Sequence, residues 1–363
     1  YYGVSREIAN LTGKELKTPE RTVPEESGSY TIKRDAELCK RYLTLEATTV
    51  SHLLMPRLRD IGELSNSPLV DLSNYVMEEM GQPVHIFDTR KLSGSQITIR
   101  TAEPGEGFVA LGEQQLVLTE DDIVITDEEK IIALAGVIGG ESSKVDEYTD
   151  SIVVESAQFN SAYVQRTARR LNLLTDAAKR FEKGLPVESA RMGIERVAWY
   201  LEQMQQFVVK EGDARMDVSE FSWHLEQERL SLGGITDEGT SQTEHTPVAL
   251  SSSQVRSYLG VNIEDERIQQ YLEQIECTVT NTNDGGFWGG SSESAEFEVT
   301  PPYYRLDLTT PEELIEEVGR LYGYDDIPAE TSHISLKVAE KNPFYELCKQ
   351  LRYSLKALGY NEV

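Results

Sequence analysis

Between residues 97 and 155, five short stretches carry β-branched or other apolar side chains: Ile97–Arg100, Phe108–Leu111, Ile123–Thr126, Ile131–Val137 and Ile152–Glu155. Each is shorter than a stable helix, and polar turn residues separate them, so this part of the chain is committed to strands. Two stretches of helical period follow, near 161–172 and 187–204. In the second, Val187, Ile194, Val197, Ala198, Leu201 and Met204 recur at helical spacing. A helix from Leu72 to Met80 precedes the strands, opened by Asp71 or Ser73 and closed by Gly81. The order predicts an α+β domain over about 36–206, with its sheet in the middle.

Residues 1–35 are short and polar, with Pro19, Pro24 and Glu25-Glu26-Ser27-Gly28-Ser29, and read as the end of an upstream domain plus a linker. The opening Tyr1-Tyr2-Gly3-Val4 reads as the middle of an element, hence as a fragment, with no leader peptide. Residues 207–246 lose pattern, and Gly233-Gly234 through His245 is Gly/Ser/Thr-rich, which predicts a linker. A small unit is expected over 247–331. Its helices are Ser252–Leu259 (ended by Gly260), Glu264–Ile275 and Pro311–Tyr322, and its strands Cys277–Thr282 and Glu296–Val299. Helix, helix, strand, strand, helix is close to a winged helix-turn-helix order. Residues 332–363, with a helix over Phe344–Leu358, read as the start of another domain.

Charge narrows the function. The 363 residues hold 35 Lys+Arg against 62 Asp+Glu, a net charge of −27. So acidic a chain has no general basic surface for nucleic acid; any RNA contact is local, or supplied by a partner chain. Cys39, Cys277 and Cys348 are isolated, which argues against a disulfide framework or a paired-cysteine metal site and fits a reducing cytosol. No run of about eighteen apolar residues exists to span a membrane.

Two constellations carry chemistry. In Tyr303 through Glu317, Thr310 precedes Pro311 and Glu313 follows three later, which is a capping box with proline in the first turn. Glu313, Glu316 and Glu317 share one helix face, and Asp307 could fold over it. Hard oxygen ligands at that density suit Mg²⁺, although spacing alone favours a solvated, well-capped helix start. The second constellation is scattered: His85, the pair Gly139-Gly140, Glu155 and Thr175-Asp176-Ala177. Gly139-Gly140 reads equally as a hairpin turn, and Thr175 as a helix cap. Glu155 ends a β-branched run, and a carboxylate pushed into a sheet interior needs a partner.

Together these segments are specific. Asp71-Leu72-Ser73-Asn74-Tyr75-Val76 and Glu79-Met80-Gly81-Gln82-Pro83-Val84-His85-Ile86-Phe87-Asp88 resemble the start of the B3/B4 domain of the phenylalanyl-tRNA synthetase β-subunit family. So do Ala135 through Gly140, Val154 through Phe159, and Thr175 through Gly184. Val299 through Pro302, continuing to Tyr322-Gly323-Tyr324-Asp325-Asp326-Ile327-Pro328, resembles that family's B5 domain.

The resemblance implies an α/β sandwich that edits, followed by a helix-turn-helix-like B5 domain. It implies an α₂β₂ assembly in which the α subunit ligates phenylalanine to tRNA(Phe) with ATP and Mg²⁺ in the cytoplasm, while the β subunit hydrolyses mischarged Tyr-tRNA(Phe). It places an editing pocket on Asn74, His85, Gly139, Gly140, Glu155, Thr175 and Ala177, and Mg²⁺ shared with α on Asp307, Glu313, Glu316 and Glu317. On this reading Glu155 accepts a hydrogen bond from the tyrosine phenol, which a phenylalanyl ester cannot offer. No Ser or Cys is placed as nucleophile, so water is expected to attack. One departure is Gly62-Glu63-Leu64-Ser65, where the family commonly carries Gly-Ile-Arg. A free-standing deacylase and a non-catalytic assembly scaffold with a degenerate pocket stay open as alternatives.

Overall fold

A computed structural model describes residues 1–48, 67–210, 230–282, 295–329 and 342–362. In chain order these form helix α1 (Tyr2–Thr12), strands β1 (Thr31–Arg34) and β2 (Cys39–Thr48), helix α2 (Pro68–Met80), then β3 (Val84–Asp88) and β4 (Gln96–Thr101). Next come β5 (Gly107–Ala110), β6 (Gln114–Val117), β7 (Ile123–Thr126), β8 (Ile131–Leu134), β9 (Ile138–Gly139) and β10 (Ser151–Phe159). Helices α3 (Ser161–Leu171), α4 (Asp176–Phe181) and α5 (Val187–Lys210) lead to β11 (Ser231–Gly239). The rest is β12 (Val248–Ser251), α6 (Ser252–Leu259), α7 (Asp265–Gln274), β13 (Thr278–Asn281), β14 (Glu296–Thr300), α8 (Pro311–Tyr322) and α9 (Pro343–Ala357). The fold is mixed α+β, as the pattern predicts.

Two sheets carry the first domain. One has five strands in the order β1-β4-β7-β8-β9, the other four in the order β11-β2-β10-β3. Parity decides what each residue of β10 meets, because successive side chains point to opposite faces. Val153, Ala157 and Phe159 join Tyr42 and Phe87 in a core shared with Ile97, Ile99, Ile125 and Ile132 of the five-stranded sheet. Ile152 and Val154 join Leu43, Leu45 and Ile86 in a second core, against Leu72 and Val76 of α2 and Ile194, Val197 and Leu201 of α5. A strand covered on both sides needs no polar alternation. β10 therefore runs on to Phe159, past the Glu155 at which the apolar run stops, and Glu155 sits in mid-strand.

Several boundaries differ from the sequence reading. α2 starts at Pro68, with Ser67 as its N-cap, because proline fits a first turn; Gly81 at φ 80° ends it. Residues 207–246 are not all linker. α5 continues to Lys210, and β11 pairs with β2 as the outer strand of the four-stranded sheet. The glycines that suggested a linker sit where the register shifts between Leu232 and Ile235; a Cβ on Gly233 would stand 2.8 Å from that of Glu46. Arg41 of β2 holds β11 through Asp237, with Nε–Oδ1 and Nη2–Oδ2 distances of 2.9 and 2.5 Å. Residues 1–35 also contribute: α1 is a helix, β1 pairs in parallel with β4, and the Ile235 N–H donates to the Glu25 carbonyl at 2.7 Å.

The small unit contains the three expected helices and two strands, plus β12, which the sequence reading missed. β12 completes a three-stranded sheet in the order β12-β14-β13. Compactness separates Tyr1–Gly323 from Tyr324–Val363. In the latter, Asn342 caps α9, its Oδ1 accepting from the Phe344 N–H at 3.0 Å.

Candidate functional site

The α2 helix, β3, β9, β10 and the start of α4 surround a cavity of about 430 Å³, within the usual range for small-molecule sites. Asn74, His85, Gly139, Glu155, Thr175 and Ala177 line it. Segments more than a hundred residues apart thus converge on one space. Gly140 is among the expected seven but does not line the cavity. It lies against β8, its N–H donating to the Ile132 carbonyl at 2.9 Å, and a Cβ there would stand 2.6 Å from that oxygen. The pair is also no hairpin turn. The chain reverses at Ala135-Gly136-Val137, with Gly136 at φ 67°, and Gly139 belongs to β9.

Strand pairing places the polar groups. Glu155 of β10 stands opposite His85 of β3 on one side and Thr44 of β2 on the other. Directly opposite residues share a face, so the carboxyl and the imidazole point the same way, between the two sheets. Glu155 is buried and His85 partly so, and the buried atoms Glu155 Oε2 and His85 Nε2 have no hydrogen-bond partner. Burial pushes the Glu155 carboxyl up to about 8, the neighbouring Tyr42 hydroxyl pulling it back in part. Burial pushes His85 down to about 4. Near neutral pH the site therefore holds an uncharged imidazole and a largely protonated carboxyl. The His85 ring packs edge-on against Phe87, centroids 4.7 Å apart, and lies over Gly139.

The remaining wall is local structure with its hydrogen bonds already used. Thr175 caps α4: its Oγ1 accepts from the Ala178 N–H at 3.1 Å and donates to the Val137 carbonyl at 2.7 Å. That second bond ties the helix start to the turn before Gly139. Ser73 also reaches the cavity, and its Oγ donates to the Val70 carbonyl at 2.7 Å. Neither hydroxyl is poised as a nucleophile, and no cysteine lines the cavity. Sequence reasoning missed Tyr42, whose buried hydroxyl stands by Glu155. Only the pairing of β2 with β10 reveals it. The departure at Gly62-Glu63-Leu64-Ser65 lies outside the described residues.

Of the four acidic residues expected as a Mg²⁺ set shared with an α subunit, Asp307, Glu313 and Glu317 are engaged by groups of this chain. Arg305 takes Asp307, Nε–Oδ1 2.9 Å and Nη2–Oδ2 2.7 Å, and also Glu317 Oε1 at 2.9 Å. Arg320 holds Glu317 Oε2 at 2.6 Å. Glu313 accepts from the backbone N–H groups of Thr309 and Thr310 at 2.6 and 2.9 Å, as the capping reading required. Burial pushes the Glu317 carboxyl up, but the two guanidiniums outweigh it and hold it below the usual carboxylate range. Among the described residues, no three His, Cys, Asp or Glu stand together as metal ligands. The physical reason is that cationic side chains already compensate two of the carboxylates and the helix cap a third. Among the described residues, too, no helix is long and apolar enough to cross a membrane.

Comparison with known proteins agrees with this layout. The B3/4 domain family matches residues 39–206 and the tRNA synthetase B5 domain family residues 248–324. The phenylalanine–tRNA ligase β subunit of Carboxydothermus hydrogenoformans is 31% identical over 99% of this chain and 42% of its own length. Those of Geobacter sulfurreducens and Porphyromonas gingivalis are each 32% identical, over 99% and 100% of this chain and 42% of their own. The chain thus spans well under half the length of these relatives. A solved N-terminal fragment of the phenylalanyl-tRNA synthetase β-subunit from Pyrococcus horikoshii aligns over 89% of this chain and 82% of that one, at 15% identity and a TM-score of 0.39, too slight a likeness to carry an argument. Two domain families in this order, with relatives of one kind across nearly all its residues, make this chain phenylalanine–tRNA ligase β-subunit-like, with a B3/4 and a B5 domain.

Proposed function

We propose that this chain is part of the β subunit of a phenylalanine–tRNA ligase and that its cavity hydrolyses tyrosine from mischarged tRNA(Phe). The observation that carries the reading is the pair of unpartnered buried polar atoms, Glu155 Oε2 and His85 Nε2, on directly opposed residues of β10 and β3 that both line a cavity of about 430 Å³. Buried polar atoms left unsatisfied are costly, and a ligand that pairs them recovers that cost. A tyrosine phenol can both donate and accept, so it pairs with Glu155 in either protonation state. A phenyl ring enters the same space and leaves the carboxyl unpaired. Because the wall hydroxyls are committed, the attacking group is water, which the uncharged His85 Nε2 is placed to hold. Gly139 leaves room for the imidazole there.

In this reading residues 36–206, with β11 (Ser231–Gly239) closing the four-stranded sheet, form the editing domain, 240–246 lead to the B5 domain over 247–331, and 332–363 are the start of a catalytic-like domain. Ligation belongs to an α₂β₂ assembly, with ATP and Mg²⁺ acting at the α subunit in the cytoplasm. The test is deacylation of Tyr-tRNA(Phe) against Phe-tRNA(Phe) by the chain, alone and with an α subunit. Hydrolysis of the tyrosyl ester in clear preference supports the proposal. Rates equal to spontaneous loss in both settings refute it and leave the assembly scaffold.

A further inference from the structure

An RNA whose 3′ end must enter the cavity meets a chain of charge −27, and one segment reverses that charge. Residues 161–184 hold Arg166, Arg169, Arg170, Lys179, Arg180 and Lys183 against only Asp176 and Glu182, six against two, or +4. These residues are α3, the turn after it and α4. The same segment supplies Thr175, Asp176, Ala177 and Phe181 to the cavity wall. The cationic stretch and the cavity are therefore built from one piece of chain.

The six cations are not equally available. Arg170 is engaged by Asp122, whose side chain is fully buried. Arg180 bridges to Glu78 of α2 at 2.5 Å, and Arg166 lies 3.5 Å from Asp121 and over the Tyr163 ring. Lys179 reaches only Asp176 on its own helix, at 2.9 Å with both side chains half exposed or more, a pair of small energetic weight. Arg169 and Lys183 are exposed and have no ion-pair partner among the described residues. Leu174, adjoining Thr175, is 56% exposed and puts an apolar side chain among them.

We propose that Arg169, Lys179 and Lys183, with Leu174, form a rim that holds the sugar-phosphate backbone of an RNA strand whose 3′ end enters the cavity; this rests on the reading of the cavity given above. Single-stranded ends are bound by cations that follow the phosphates and by apolar surface under the bases, and this segment has both. An acidic protein segment would also answer the positive charge. It would give no reason for the cations to stand on the stretch of chain that also carries Thr175, Asp176, Ala177 and Phe181 of the cavity wall.

The experiment measures binding, so it does not depend on hydrolysis. The full chain is titrated against a fluorescent acceptor-stem hairpin RNA with a single-stranded 3′ CCA end, between 50 and 200 mM salt. Arg169→Ala, Lys179→Ala and Lys183→Ala are each expected to weaken binding several-fold and to lower the slope of log K against log salt by about 0.7–0.9. The triple variant is expected to bind at least tenfold more weakly at the lowest salt. Lys179→Arg with Lys183→Arg should keep wild-type affinity. Arg267→Ala, an exposed charge on α7 that does not line the cavity, should change it less than twofold. The proposal is overturned if wild type does not bind, if the triple variant binds within twofold of wild type, or if polyglutamate competes as well as RNA. RNA binding through the rim without Tyr-tRNA hydrolysis would sink the editing reading alone. Hydrolysis with an indifferent rim would sink the rim alone.

Discussion

Gly139 lies directly under the imidazole of His85: a methyl group on its Cα would fall 2.4 Å from His85 Cε1 and 2.5 Å from Nε2. Neither glycine flexibility nor turn geometry accounts for this position; the ring itself does. Gly139→Ala should displace His85 and cost about 1–3 kcal/mol of stability, the usual range for overpacking. Deacylation of the tyrosyl ester should fall at least tenfold. An alanine variant with unchanged melting temperature and unchanged rate would show that the ring moves freely and is not positioned.

Glu155 and His85 set opposing pH dependences on stability. The Glu155 carboxyl is raised in the fold to about 8 from an ordinary value near 4.5, so its contribution is complete below about 4.5 and is lost as pH rises through 8. His85 is lowered from 6.5 to about 4, so its contribution is complete above 6.5 and is lost as pH falls through 4. Between about 4.5 and 6.5 the two offset one another. Above 6.5 Glu155 acts alone, and stability should decline toward pH 8. Glu155→Gln should flatten that decline and melt higher than wild type at pH 8.5, by a margin of about 1–3 kcal/mol. Parallel melting curves for the two proteins from pH 6.5 to 8.5 would mean that the carboxyl is not buried as described.

The same substitution should reduce discrimination between tyrosyl and phenylalanyl esters. Above about pH 8, where the Glu155 carboxyl ionises, an amide still pairs with the phenol but as a neutral group, and the difference is worth a factor of about ten. Retained selectivity in a competitive deacylation assay would remove Glu155 from recognition.

Arg305 makes a separate forecast for the acidic cluster. Glu317→Gln removes the charge that Arg305 and Arg320 share, and should cost about 1–2 kcal/mol in a urea melt at pH 7. Since Glu317 is held below its ordinary carboxylate value, its contribution is present above about 4.5 and is lost as pH falls through the lowered value. Adding Mg²⁺ to the isolated chain should move its melting temperature no more than an equal ionic strength of Na⁺. A specific Mg²⁺ stabilisation abolished by Glu317→Gln would restore the four carboxylates as a metal site.

What the sequence made legible follows from where the information is local. The helices from α2 onward, the β7 and β8 strands and the α8 cap rest on nearest neighbours, and periodicity or capping chemistry finds them. The cavity residues were recoverable only from a resemblance, because nothing within ten residues of Glu155 shows that His85 stands opposite it. β11 was hidden for two reasons: it is an edge strand with one polar side, and its Gly233-Gly234 bulge looks like a breaker. The Mg²⁺ expectation on Asp307, Glu313, Glu316 and Glu317 came from the resemblance, whereas spacing alone favoured the capped helix start, and neither registers Arg305, two residues before Asp307, which holds that carboxylate. Helical spacing says which side chains can meet, and it is silent on which cation reaches them first.

The outer position of β11 has a consequence for how the domain comes into being. The stretch matched to the B3/4 family ends at residue 206, yet β2 receives its second hydrogen-bonded neighbour from Ser231–Gly239. On a ribosome, the four-stranded sheet stays open until about thirty residues after the end of α5 have emerged. Until then β2 offers a bare ladder edge, the kind of surface on which nascent chains pair with one another. A fragment cut at the family boundary freezes that intermediate. It should aggregate, whereas one carried through Gly239 and begun ahead of Glu25 should remain monodisperse.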